Sequence, residues 1–190
     1  MQAELVITVI EALEAESIPY FLAGSIASMV YGIPRATKDV DFVVDFVVEI
    51  GGDGIDRLAR RLAGQFEFDP QQHVETSTWT RRYILRSSRP VFEVELFIKS
   101  ADPHHLEQWT RRRMLHNPIL GRDAWMPAPE DVVIQKLRWG RPKDVADVET
   151  VIGVQGAKLD WTYIERWCDA HGSRKRLDEV KASIPQDLLE

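Results

Sequence analysis

Residues 20–45, YFLAGSIASMVYGIPRATKDVDFVVD, constrain the chain more than any other stretch. A short apolar run bounded by Pro19 and Gly24 predicts a buried strand. The Gly24-Ser25 step predicts a turn into a helix reaching about Tyr31, with Ser25 or a neighbour as its cap. Gly32 and Pro34 close that helix. Asp39 and Asp41 then open a second apolar run, 40–48, which predicts a long central strand. Residues two apart on a strand share a face, about 6–7 Å apart along the backbone. Both carboxylates therefore project from one side of a strand start.

The rest of the chain predicts a frame around this stretch. Apolar residues at Leu5, Val6, Val9, Ile10 and Leu13 fit a helix over 2–16. Residues 51–54 read as a loop and 55–63 as a helix. Residues 66–78 are polar and mixed, and read as loop with a short strand. Residues 80–86 and 91–98 read as two strands joined by a hairpin at 87–90. Asp102-Pro103 opens a helix to about Arg113, where Arg111, Arg112 and Arg113 suit the negative end of the dipole. Residues 119–120 and 124–126 read as short strands around Gly121. Helices follow over 129–139, with Pro129 near the start, over 142–151 and 160–170, with a short last helix in the tail. The fold class expected is α/β in the α+β sense: a small mixed or antiparallel sheet with flanking helices (residues 1–127), then a C-terminal helical region (residues 128–190) packed on that core.

Composition bounds the setting. The chain has 190 residues and is 44% hydrophobic, enough for a sizeable core. No apolar run approaches the ~20 residues needed to cross a bilayer, and the N-terminus is acidic and amphipathic rather than a leader. One cysteine, Cys168, excludes an internal disulfide and fits a reducing cytoplasm. Net charge is −6, yet residues 81–143 hold 13 Lys/Arg against 7 Asp/Glu. That basic island between acidic flanks attracts polyanions such as nucleotides or RNA. His73, His104 and His105 make no metal spacing with Cys168, and the His104-His105 pair reads as surface.

Three features carry chemistry. A strand, a glycine turn and a helix N-terminus present backbone N–H groups to an anion, with the Ser25 hydroxyl adding a donor. Asp39 and Asp41 offer hard oxygen ligands suited to Mg²⁺. In FEVELFI, Phe92, Val94, Leu96 and Ile98 form an apolar face, leaving Glu93 and Glu95 on the other. Glu95 lies deeper in the run and is the better third carboxylate, as metal ligand or as base toward an acceptor hydroxyl.

These residues resemble a known family. Gly24-Ser25, Tyr31-Gly32, Pro34-Arg35, Thr37 and Asp39-Val40-Asp41, followed by PEDVVIQKL (129–137), Arg141, Lys143-Asp144 and Asp147, resemble the minimal nucleotidyltransferases of the DNA polymerase beta-like superfamily. The similarity is greatest to the branch of abortive-infection (type IV toxin–antitoxin) nucleotidyltransferase toxins, and it covers roughly residues 18–150. The resemblance implies an ATP- or other NTP-using enzyme with a two-metal Mg²⁺ site on Asp39, Asp41 and Glu95. Gly24 and Ser25 would hold the triphosphate, and Lys136 would face the phosphates. Arg35 and Thr37 match the nucleotide-side pattern, Arg35 as a phosphate clamp. Asp144 and Asp147 would pair with Arg141 or Lys143, or brace Lys136. The reaction implied is attack of an acceptor hydroxyl, on tRNA, a protein or a small molecule, on the α-phosphate. A cognate antitoxin is the implied partner. The alternative is a catalytically inactive member of the fold that binds nucleotide or a protein partner.

Overall fold

Strand β1 (Tyr20–Leu22) runs antiparallel to β2 (Asp39–Val44), and β2 is parallel to β5 (Val91–Ile98). Beyond β5, strands β4 (Thr80–Ser88) and β3 (Glu67–Glu75) add in antiparallel fashion. The result is a five-stranded mixed sheet in the order β1-β2-β5-β4-β3. This computed structural model describes residues 3–46, 53–76, 78–88 and 91–189. Positions 47–48 of the expected long strand, Gly51-Gly52 of the expected loop, and Arg89-Pro90 of the hairpin turn lie outside the described residues.

Alternation places the sheet on its core. Along β2 every second residue is buried (Val40, Phe42, Val44), and Asp39 and Asp41 take the other face. Along β5 Phe92, Val94 and Leu96 are buried on one face, with Glu93, Glu95 and the buried Phe97 on the other. Helix α1 (Ala3–Ala15) buries Val6, Val9, Ile10 and Leu13, the expected stripe. Each such large apolar side chain contributes about 1.5–3 kcal/mol relative to its exposed state.

Helix α2 (Gly24–Tyr31) follows β1, and α3 (Gly54–Leu62) follows β2. Helix α4 (Pro103–Arg111) starts at Asp102, whose carboxylate accepts the backbone N–H groups of His104 and His105. A second, two-stranded sheet pairs β6 (Arg113–Asn117) with β7 (Arg122–Met126). Then come α5 (Pro129–Trp139), α6 (Pro142–Gln155), α7 (Trp161–His171) and α8 (Arg174–Ser183). One hydrophobic cluster runs from Val6 to Val180, so residues before and after position 128 share a core. No helix is long and apolar enough to cross a membrane among the described residues.

Five local expectations are corrected. Residues 67–75 form a full nine-residue edge strand, not loop with a short strand. Their polar character reflects exposure at the sheet edge, and the register breaks between Asp69 and His73, around Pro70. Proline is tolerated at such an edge bulge because no ladder bond is lost there. Arg113 opens β6 instead of ending a helix, and residues 119–120 lie in the β6–β7 turn. Ser25 does not cap α2. Ala23 holds that position without a side-chain cap, and Ser25 is buried in the first turn. His104 is fully buried rather than at the surface, with Nε2 3.1 Å from Asp131 Oδ1 on α5.

Candidate active site

The parallel pairing of β2 with β5 sets the geometry. Asp39 stands opposite Glu93 and Asp41 opposite Glu95. Glu93 turns outward, 45% exposed, and pairs with Arg86. Glu95 is 17% exposed and lines a cavity of about 200 Å³ together with Asp39, Asp41, Ser25, Glu75, Arg82, Lys136, Trp139, Arg141 and Lys143. The three expected carboxylates therefore line one space.

Crowding of like charge marks this space. Burial pushes the Asp41 carboxyl up to about 7, and Glu95 and Asp39 push the same way, while Lys136 and Lys143 pull it back. Burial raises Glu95 as well; Arg82 opposes the rise, and Asp39 and Glu93 add to it. Perturbed carboxyls of this kind cluster at functional sites. Thr37 Oγ1 donates to Asp39 Oδ1 and fixes that carboxylate. Arg82 Nη1 donates to Glu95 Oε2 at 2.8 Å. Arg82 carries no motif of its own in the sequence. The hairpin register that sets Arg82 against Phe97 was the signal that could have found it.

Gly24 begins α2 with φ +53, in the left-handed region that glycine adopts without strain. The Asp41 side chain packs onto it, so the helix N-terminus and the carboxylate pair meet directly. Ser25 Oγ accepts from Arg35 Nη2 at 3.1 Å. Arg35 itself is clamped on Asp147, Nε to Oδ1 at 2.7 Å and Nη2 to Oδ2 at 2.8 Å. Lys136 is only 3% exposed, and its ammonium lies 2.7 Å from Asp147 Oδ2 and 3.1 Å from Asp144 Oδ1. Burial pushes the Asp147 carboxyl up, but hydrogen bonds from Arg35 and Lys136 outweigh that and hold it at about 2. Asp144 also takes Arg141. Asp144 and Asp147 thus tie α6 to α5, and through Arg35 and Ser28 to α2.

Behind the carboxylates lies a narrower, mainly apolar cavity of about 50 Å³. It shares Asp41, Phe97, Lys136 and Trp139 with the first. Arg111 is not a free cation, because it meets Glu130, Asp131 and the Tyr163 ring. Arg112 stacks on Trp109 and Trp125.

The carboxylate set has the hard-oxygen chemistry that Mg²⁺ takes, and a divalent cation would relieve the like-charge crowding at Asp41. Among the described residues, no three His, Cys, Asp or Glu side chains are already gathered as a ligand cluster.

Solved structures share this architecture. The fold is that of the nucleotidyltransferases. A nucleotidyltransferase-like protein from Paracoccidioides brasiliensis superposes with a TM-score of 0.56 at 20% identity, over 96% of this chain and 93% of that one. ANT(2″)-Ia, solved in complex with adenylyl-2″-tobramycin, gives 0.61 at 13% identity, over 92% and 98%. JHP933 from Helicobacter pylori gives 0.52 at 12% identity, over 97% and 90%. No family model matches the sequence, and no curated protein does.

Proposed function

We propose that the chain is a Mg²⁺-dependent nucleotidyltransferase that moves a nucleoside monophosphate from an NTP to an acceptor hydroxyl. One observation carries this reading: Asp39, Asp41 and Glu95 line a single cavity at the N-terminus of α2. Bound Mg²⁺ would stabilise the charge on the attacking and leaving oxygens. Asp39 and Asp41 would hold it, with Glu95 as third ligand or as base. Thr37 keeps the Asp39 carboxylate in place. Gly24 and Ser25 border the triphosphate, and Arg35 and Lys136 brace that wall through Asp147. In the transfer, the acceptor oxygen bonds to the α-phosphorus as the bond to the bridging oxygen breaks. Pyrophosphate leaves, and the hydroxyl proton passes to a carboxylate, for which Glu95, whose carboxyl burial raises, is the candidate.

The ANT(2″)-Ia complex holds an adenylylated small molecule, adenylyl-2″-tobramycin. That supports a small-molecule hydroxyl as one acceptor class, alongside tRNA and protein. A toxin role with a cognate antitoxin rests on the sequence resemblance. The deciding experiment supplies each α-³²P-labelled NTP with Mg²⁺ to total RNA, a protein lysate and an aminoglycoside panel. Label should enter one acceptor class and vanish with Asp41→Ala. No transfer from any NTP would remove the enzyme reading.

The Arg82–Glu95 ion pair favours a second reading, a nucleotide-binding module without catalysis. It predicts NTP binding with no label transfer in the same assay.

A further inference from the structure

The carboxylate cavity is lined by four cationic side chains: Arg82, Lys136, Arg141 and Lys143. Three are engaged. Arg82 pairs with Glu95, Lys136 with Asp144 and Asp147, and Arg141 with Asp144. Lys143 is exposed and makes no ion pair among the described residues. The buried Lys136 ammonium has two of its three N–H donors on Asp144 and Asp147, whose carboxylates already offset its charge. An exposed ammonium on a flexible stem is under no such constraint.

Placement gives a second, independent argument. Lys143 sits in the first turn of α6, beside Pro142 and the cap residue Arg141. A helix N-terminus carries partial positive charge, so a cation there is unfavourable for the fold. The same end is a ready place for an anion. Asp144, also in that first turn, already holds Lys136 and Arg141. A positive helix end and an uncommitted ammonium thus open onto a cavity whose other wall is the N-terminus of α2.

We propose that Lys143, rather than Lys136, is the side chain that contacts the phosphates of a nucleotide in this cavity, and that Lys136 is a fixed internal post joining α5 to α6. This rests on the nucleotidyltransferase reading and assigns the phosphate contact within it. The ligand class is a polyphosphate, recognised by charge and not by base.

Calorimetric titration with inorganic tripolyphosphate in Mg²⁺ buffer, which has no base, tests the assignment. Wild type should bind. Lys143→Ala should weaken binding about tenfold or more, the loss of one charge-assisted contact, with a melting temperature equal to or above that of wild type. Lys143→Arg should restore most of the affinity. Lys136→Met should instead lower the melting temperature. Equal affinities for wild type and Lys143→Ala would overturn the assignment while leaving the enzyme reading intact. Loss of binding in Lys136→Met without any thermal change would also overturn it. If wild type bound neither tripolyphosphate nor any NTP, the nucleotidyltransferase reading itself would fall, and this assignment with it.

Discussion

The Asp41 carboxylate occupies the space that a side chain at Gly24 would need: a Cβ added to Gly24 would stand 1.6 Å from Asp41 Oδ2. The turn and the strand are therefore fitted to each other at atomic contact. Gly24→Ala must displace the carboxylate and also hold φ +53 with a Cβ, a strain of about 1–2 kcal/mol. We expect a lower melting temperature and loss of nucleotidyl transfer, read by thermal melts and the labelled-NTP assay. Retention of both would show that Asp41 moves without consequence.

Asp41 also sets a pH dependence. Its folded carboxyl is raised from 3.8 to about 7. Ionisation therefore costs the folded state fully above about pH 7, and the cost fades as pH falls toward 4. Asp41→Asn should be more stable than wild type at pH 8, by on the order of 1–3 kcal/mol, and the gap should close between about pH 7 and 4. Circular-dichroism melts at pH 8, 6 and 4 measure this. A constant gap would contradict the assigned shift.

Asp147 has the opposite sign. Its folded carboxyl is held at about 2 against an ordinary 3.8. The stabilisation is complete above about pH 4 and is lost as pH falls toward 2. Asp147→Asn leaves Arg35 without its partner and Lys136 with Asp144 alone. Because one carboxylate remains, a cost of about 2–3 kcal/mol is expected, below the 3–5 kcal/mol for a buried charge stripped of all compensation. Urea unfolding at pH 7 gives the difference, which should vanish near pH 2.

Arg82 and Glu95 can be separated by rate measurements. Glu95→Gln should lower transfer by about 10²–10⁴-fold if Glu95 is the base. Arg82→Met removes a group that pulls the Glu95 carboxyl down. The acidic limb of the pH–rate profile should then move to higher pH. A limb that stays in place would assign the base elsewhere.

Elements with strong local signals were legible in advance. Strand β5 matches its expected bounds because apolar and polar residues alternate through it. Helix α5 matches because Pro129 fits its first position and Gly140 ends it in the left-handed conformation. Strand β3 was not legible, since an exposed edge strand with Pro70 lacks the apolar alternation that marks a strand. The burial of His104 was hidden for another reason: its partner Asp131 lies 27 residues away on another element.

By itself, the sequence determined what short-range geometry governs. That includes the turn at Gly24, the shared face of Asp39 and Asp41, and the greater depth of Glu95 than of Glu93 in its strand. Tertiary structure alone decided which charges remain available. Parallel registry set Asp41 against Glu95. Asp147 gathered Arg35 from 112 residues away, and Lys136 was buried between two carboxylates while Lys143 was left in solvent. Desolvation and ion pairing depend on what the folded chain brings within a few ångströms, and the linear order of residues does not carry that information.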